Sequence, residues 1–369
     1  MKSSLIFTFS RSYNFGASLQ AFSLQRAIRG LGRPCKIVDT RSDEEIAGRI
    51  EYRTDIRGRI LNLFTYLNRQ KLLEGKIRFN NFNYGSEDRI RLPAVQGVPV
   101  VDKLEAMGQL ADVYISGSDQ VFSPGMMSTL YFQQFNTWNA KSISYAASMG
   151  ISEVPQDKKA LMKSYLSKFD AISVREPSAK EALQPLTDCN IQVHLDPTLL
   201  TEKEEWECEE KSYGPLVGKK FILAYFLYRP ADMNAQLKRL HKQTGLPIVL
   251  VDTSAFRNIY HQMLVLDAGP QEFLWLIHQS QMVVTSSFHG TAMSIIYEKP
   301  FVVYNNPATP ARIERLLNLT GLQNHWIKTG MNLSTDSFAV SKEEMETAKQ
   351  SIREEKEMSL DYLRKWLSD

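Results

Sequence analysis

The stretch Val283-Val284-Thr285-Ser286-Ser287-Phe288-His289-Gly290-Thr291-Ala292-Met293-Ser294-Ile295-Ile296-Tyr297-Glu298-Lys299-Pro300-Phe301 decides the fold class. It begins with a short β-branched run, the pattern of a strand buried on both faces. Small polar residues break that strand, and His-Gly-Thr opens an apolar helix that ends before Pro300. A second apolar run, Phe301–Tyr304, follows at once. Strand, helix and strand in so short a span make a parallel unit, since parallel neighbours need a crossover between them.

The same alternation runs through the whole chain. Strands are predicted at Leu5–Phe9, Lys36–Val38, Val113–Ile115, Ser142–Tyr145, Ala171–Val174 and Gln192–Leu195. A second series comprises Phe221–Tyr225, Pro247–Val251, Met282–Thr285 and Phe301–Tyr304. Between the series, Thr201–Gly218 is charged and ends in Gly, Pro and Tyr, so it reads as a linker. Ser341–Leu367 reads as a helix with an interrupted apolar stripe. The expected architecture is two doubly wound, Rossmann-like α/β domains facing across a cleft, residues 1–205 and 215–335. Residues 340–369 form a helix expected to pack back on the first domain. A length of 369 residues suits two domains at about 100–200 residues each.

Composition narrows the function classes. With 43% hydrophobic and 23% charged residues the chain is neither disordered nor fibrous. A net charge of +3 speaks against a dedicated nucleic-acid binder. That total hides a local excess: Arg49–Arg91 holds ten basic residues against five acidic ones, interleaved with Ile60, Leu61, Leu63, Phe64, Tyr66 and Leu67. A basic helical insertion at about 45–95 is therefore expected in the first domain, suited to anionic lipid or to a solvated face. Three scattered cysteines give no disulfide framework and no metal knuckle, which points to a reducing, cytoplasmic setting. No apolar run approaches the roughly 20 residues of a spanning helix.

In such sheets ligands sit beyond the carboxyl ends of the strands, so the loops there carry the candidates. After the first strand, Asn14-Phe15-Gly16 turns the chain so that helix amides face the cleft. An ordinary strand–turn–helix joint is the alternative. After the third strand, Ser118, Asp119 and Gln120 place a hydroxyl, a carboxylate and an amide at the cleft edge. Asp119 is suited either to accept a proton from a sugar hydroxyl or to cap the following helix. Arg175 ends the fifth strand with a guanidinium made for phosphate or carboxylate, and a plain ion pair with Glu176 is the alternative. Asp196, held extended before Pro197, reads as a cap or turn. His289 lies at a helix mouth, where amides and dipole favour an anion beside an imidazole able to hold or donate a proton. No histidine shows metal-ligand spacing.

Together these loops resemble the polysaccharide pyruvyl transferase family. The matching stretches are Asn14–Gln20, Gly117–Val121, Ser144–Ser148, Ser173–Glu176, Asp196–Leu200 and Ser287–Thr291, in the family's order. The resemblance implies a GT-B-like fold and transfer of a pyruvyl group from phosphoenolpyruvate to a sugar diol. The product is a cyclic ketal, commonly 4,6-linked, on a capsule, exopolysaccharide or cell-wall glycan precursor. Arg175 and His289 match residues associated with donor handling and activity. Characterised relatives often carry Arg-Leu before this His, where this chain has Ser287-Phe288.

The chemistry assigns roles. His289 is expected as general acid, Arg175 as the donor clamp, and Asp119 as the base. Donor binding falls to Arg175, Ser287, Phe288, His289, Gly290 and Thr291, with the Gly290 and Thr291 amides on the phosphate. Acceptor binding falls to Asn14, Phe15, Gly16, Ser118, Asp119 and Gln120. No metal and no organic cofactor is called for. The acceptor is an undecaprenyl-diphosphate-linked sugar or a finished polymer, with peripheral contact at the inner face of the plasma membrane in the first case. Two other readings stand beside this one. The first is a GT-B nucleotide-sugar glycosyltransferase, although Glu298 lacks the second Glu of a Glu-x7-Glu pair because Asn306 stands there. The second is a non-catalytic glycan-binding relative.

Overall fold

The structure, a computed structural model, describes residues 3–9, 13–39, 56–84, 89–91, 99–254, 258–304, 310–328 and 330–368. The first half runs β1 (Ser4–Phe7), α1 (Phe15–Gly30), β2 (Cys35–Asp39), α2 (Ile56–Leu67), α3 (Arg69–Tyr84) and β3 (Arg89–Arg91). It continues through α4 (Val100–Met107), β4 (Val113–Ser116), β5 (Lys141–Ser144), α5 (Lys159–Leu166), β6 (Ser173–Val174), α6 (Pro177–Leu183) and β7 (Gln192–Val193). Helix α7 (Lys203–Glu209) leads into the second half: β8 (Ile222–Tyr225), α8 (Met233–Thr244), β9 (Ile248–Val251), β10 (Met263–Val265) and α9 (Pro270–Gln279). There follow β11 (Met282–Thr285), α10 (Phe288–Ile296), β12 (Phe301–Tyr304), α11 (Ala311–Thr320), β13 (Trp326–Ile327) and α12 (Lys342–Leu367).

Two parallel sheets result, one per half. The first has the order β3-β2-β1-β4-β5 and the second β10-β9-β8-β11-β12-β13. Strands β4, β8 and β12 are buried at every position, as apolar strands covered by helices on both faces must be. In each sheet the order reverses beside the first strand, between β1 and β4 and between β8 and β11. Those reversal points are where ligands bind in open α/β sheets, because the helices leave on opposite faces and open a crevice. The loops after β1 and β4 face the loop after β11 across the seam between the halves.

The strand expectations fall close to the observed elements, with two differences. Of the expected strands at 171–174 and 192–195, Ser173–Val174 and Gln192–Val193 pair with each other as β6 and β7, and isolated bridges such as Ile143 to Ala171 join them to the first sheet. The short edge strands β3, β10 and β13 were not among the expectations. The Thr201–Gly218 stretch, expected as a linker, lies between the strands of the two sheets. Its Trp206 is fully buried, donates to the Thr198 carbonyl at 3.3 Å and packs on Phe22 at 5.7 Å, so the joint is pinned to α1.

The seam itself is a packed core. Phe15 stacks on Phe273 of the other half with ring centroids 4.3 Å apart, and its edge meets Tyr225. Helix α3, in the middle of the expected basic insertion, touches both halves. Its Phe79 packs on Phe15 at 4.8 Å, and Arg78 pairs with Glu272 at 3.6 Å. Gly75 lies so close to the backbone that an added Cβ would be 2.5 Å from the Leu266 carbonyl oxygen. The parts of that insertion at 45–55, 85–88 and 92–98 lie outside the described residues.

Helix α12 lies across both halves. Tyr362 donates to the Ser144 carbonyl at 2.8 Å and the Ser359 hydroxyl accepts from Leu195 N at 3.1 Å, while Lys349 pairs with Glu298 at 3.1 Å. Among the described residues no helix is long and apolar enough to cross a membrane.

Candidate active site

Asp196 is the centre of the site, and each of its oxygens has a separate task. Oδ1 caps the short turn Pro197–Leu200, accepting from Thr198 N at 3.0 Å and Thr198 Oγ1 at 2.7 Å. That is the cap expected from the sequence. Oδ2 faces the other way and forms a buried ion pair with Arg175 Nη1. The same oxygen lies 3.5 Å from His289 Nε2 and accepts a longer contact from Ser118 Oγ at 3.4 Å. The first half thus supplies Arg175, Asp196 and Ser118, and the second supplies His289. Sequence reading had given Asp196 no role beyond the turn. Its signal was present in the Asp-Pro-Thr motif, but the partners that define it arrive from distant segments.

Electrostatics follow from this burial. Burial alone would push the Asp196 carboxyl up, yet His289 and Arg175 hold it well below the usual carboxylate range. Burial works against the charge of Arg175, but Asp196 and Glu176 outweigh it and keep the guanidinium cationic. Glu176 accepts from Arg175 Nε at 3.1 Å, so the ion pair expected as the plain alternative is present as well. Arg175 is 98% buried on its side chain, and its Nη2 has no partner among the described residues. His289 Nε2 is likewise buried and, at 3.5 Å from Asp196 Oδ2, has no hydrogen-bond partner within normal reach there. Two strong donors therefore converge with capacity to spare.

The remaining expected donor residues surround this pair. Ser287 caps α10 by accepting from Gly290 N at 3.3 Å. The Phe288 ring lies under the Arg175 guanidinium at 5.0 Å and meets the His289 ring edge-on at 5.1 Å. One expectation has to be corrected. The Gly290 and Thr291 amides are already taken, by Ser287 Oγ and by the Ser287 carbonyl at 3.0 Å, because the cap closes the first turn on itself. The helix amides left without an intrahelical acceptor are those of Phe288 and His289.

On the expected acceptor side the residues divide. Asn14 caps α1, accepting from Ala17 N at 3.2 Å. Gly16 abuts His289: a Cβ there would be 1.9 Å from Nδ1. Phe15 is a second correction, since it is 1% exposed and stacked in the seam, leaving no surface for an acceptor. Ser118 is held by α1, its amide donating to Gln20 Oε1 at 3.1 Å and its carbonyl accepting from Thr8 Oγ1 at 2.9 Å. Asp119 follows with φ of 71°, a left-handed conformation that Asp tolerates. Its Oδ1 accepts from Gln120 N at 2.9 Å, and a turn rather than a helix follows. Asp119 lies within electrostatic range of Arg175 and Arg312. Gln120 sits beside Gly150, where an added Cβ would be 2.8 Å from its amide.

Helix α11 adds two arginines that the sequence did not mark. Arg312 and Arg315 border, with Arg175, Asp196 and Phe288, a cavity of about 20 Å³. Arg315 donates to the carbonyls of Arg175 and of His194, the latter at 2.8 Å, and pairs with Glu355 at 3.4 Å. Burial, and for Arg312 the charge of Arg175, lowers both from the usual arginine range. On sequence they read as the charged face of a helix, and only the fold brings them to the cleft.

Comparison with known proteins fits this geometry. Among solved structures, a Listeria monocytogenes protein assigned as a UDP-N-acetylglucosamine 2-epimerase is similar with a TM-score of 0.53 and 13% identity, covering 98% of this chain and 90% of that one. Anabaena HepE in complex with UDP and glucose is similar with a TM-score of 0.50 and 9% identity, over 99% and 98%. At such identities these likenesses show the fold alone, the GT-B arrangement of two Rossmann-like domains. No curated protein is significantly similar in sequence. The polysaccharide pyruvyl transferase family model matches residues 14–307, a span that holds the second reversal point, Arg175, Asp196 and His289, and the chain belongs to that family.

Proposed function

We propose that the protein moves the pyruvyl group of phosphoenolpyruvate onto a sugar diol, forming a cyclic 4,6-O-ketal on a surface-glycan precursor. The observation that carries this reading is the convergence of Arg175 Nη2 and His289 Nε2, both buried and unpartnered among the described residues, beside one carboxylate. Arg175 holds the donor's phosphate or carboxylate, which a guanidinium contacts in bidentate fashion. His289 Nε2 delivers a proton to the enol methylene, leaving oxocarbenium character on the adjacent carbon. One sugar hydroxyl attacks that carbon and gives its proton to Asp119. The carbon–oxygen bond to phosphate then breaks, and the phosphate carries the electron pair away. The second hydroxyl attacks the renewed cation and closes the ring, its proton passing to His289 Nε2, which restores the acid, while Asp119 returns its proton to the departing phosphate. No metal and no organic cofactor enters this scheme.

Asp196 acts here as a positioning residue, fixing Arg175 and His289 against one oxygen. We take the acceptor to be lipid-linked, with the enzyme at the inner face of the plasma membrane.

The test is incubation of the protein with phosphoenolpyruvate and candidate lipid-linked sugars, reading phosphate release and the added pyruvyl mass. Arg175→Ala and His289→Ala are expected to lower turnover at least about 100-fold with the fold retained by circular dichroism. Near-normal turnover in both would overturn the roles. Stabilisation by a nucleotide sugar and not by phosphoenolpyruvate would favour a glycosyltransferase, and glycan binding with no phosphate release a non-catalytic relative.

A further inference from the structure

Helix α11 turns one face to the candidate site. Arg312, Arg315, Leu316 and Leu319 line the cavity beside Arg175 and Asp196, and their i, i+3, i+4 and i+7 spacing is that of a single helix face. From this face Arg315 reaches across to the other half of the molecule. Its side chain is 17% exposed, and Nη1 donates to two backbone carbonyls, that of Arg175 and, at 2.8 Å, that of His194. Nη2 lies 3.4 Å from Glu355 on α12, which holds the other end of the guanidinium.

The position of those carbonyls gives the contact its meaning. Arg175 and His194 are the residues directly after β6 and β7, strands of only two residues each. One segment carries the guanidinium of the donor clamp. The other carries, two residues on, the Asp196 carboxylate that pairs with it. On the amide side both residues are held by the first half, Arg175 N donating to the Ala147 carbonyl at 3.1 Å and His194 N to that of Val174 at 3.0 Å. On the carbonyl side the donor is Arg315 of the second half. A guanidinium suits this task because its N–H groups are fixed in one plane, so one nitrogen serves two carbonyls while the other stays on Glu355. Helix α12 supports the same segment one turn later, where Ser359 Oγ accepts from Leu195 N at 3.1 Å.

We propose that Arg315 is a positioning residue for donor binding. By tying the Arg175 and His194 carbonyls together it sets the Arg175 guanidinium against Asp196, so the clamp is complete only with α11 in place. The inference rests on the reading of Arg175 as the donor clamp. His289 is placed separately, by the Ser287 cap of its helix and by its rest against Gly16. Loss of Arg315 therefore acts on donor binding rather than on proton delivery.

Two measurements on the full chain read this: phosphate release with phosphoenolpyruvate varied at saturating acceptor, and amide hydrogen exchange over residues 172–196 without substrate. Arg315→Met should raise KM for phosphoenolpyruvate about tenfold or more, with kcat within about threefold and KM for the acceptor unchanged. Exchange of the Arg175 and His194 amides should quicken by a similar factor. Arg315→Lys keeps the charge but not the planar fork and should recover little of the loss, whereas Glu355→Gln keeps an acceptor and should stay within about threefold of the parent. These two milder variants decide the matter should Arg315→Met fail to fold. A lowered melting temperature with unchanged KM for phosphoenolpyruvate, full recovery in Arg315→Lys, or unchanged exchange at 172–196 would each overturn the proposal. If the parent protein releases no phosphate from phosphoenolpyruvate, the pyruvyl reading itself fails, and exchange alone decides whether Arg315 holds the two strand ends.

Discussion

Gly16 and His289 stand so close across the seam that a methyl group on residue 16 would fall 1.9 Å from the imidazole Nδ1. The ring carbons Cγ and Cε1 would be 2.4 and 2.6 Å away, so the whole imidazole is in the way rather than the tip of a flexible chain. A glycine after the helix-capping Asn14 is thus a requirement of the facing half. Its absence of a side chain lets the histidine rest against α1.

Gly16→Ala is expected to push the His289 ring away from Asp196. Turnover should fall by about 100-fold, since small misplacements of a catalytic group are costly, while most of the stability survives. Phosphate release and thermal melting, measured side by side, check this. A variant with normal turnover would show that the ring has room to give.

Asp196→Asn keeps the cap to Thr198 and removes the charge shared by Arg175 and His289. Breaking a buried pair from one side leaves an uncompensated charge, and a loss of about 3 kcal/mol at neutral pH is expected by urea denaturation. The sign with pH is set by the depressed carboxyl. Its stabilisation is present above the unfolded value of about 4 and is lost as pH falls toward the lower folded one. The Asn variant should lack that acid-dependent component.

His194 supplies an independent pH response near neutrality. Burial, with the charge of Arg315, lowers its folded pKa to about 4, and its Nδ1 lies 2.8 Å from Ser173 Oγ. The unfolded chain binds a proton as pH falls through about 6.5 while the folded ring stays neutral, so stability drops over that window. Between about pH 7 and about pH 5 the drop should be roughly 2 kcal/mol, and it levels off once the folded ring titrates. His194→Gln should flatten this part of the curve. Equal slopes in the two proteins would remove His194 as the cause.

The parallel strands were legible because each is a short apolar run next to a helical pattern, and its length and β-branched or aromatic content identify it. Strands β3, β10 and β13 escaped because edge strands of two or three residues carry too little pattern. Arg175 and His289 were legible as chemistry at strand ends. Asp196 was not, since its own neighbours explain only the cap, and its other oxygen is explained by Arg175, distant in sequence, and by His289 of the opposite half. Phe15 was misread for the same reason. Beside Asn14 and Gly16 it faces the cleft on paper, but Phe273, which covers it, belongs to no local pattern. The Gly290 amide was misassigned because Ser287 reads equally as a donor ligand and as a cap, and the backbone decides for the cap.

Helix α3 grips both halves at once, by Phe79 on Phe15, Arg78 on Glu272 and Gly75 on the Leu266 carbonyl. Any turn of one half against the other would have to break or carry along all three contacts, so this helix acts as a strut across the seam, and by linkage whatever fills the cleft changes the strength of that tie.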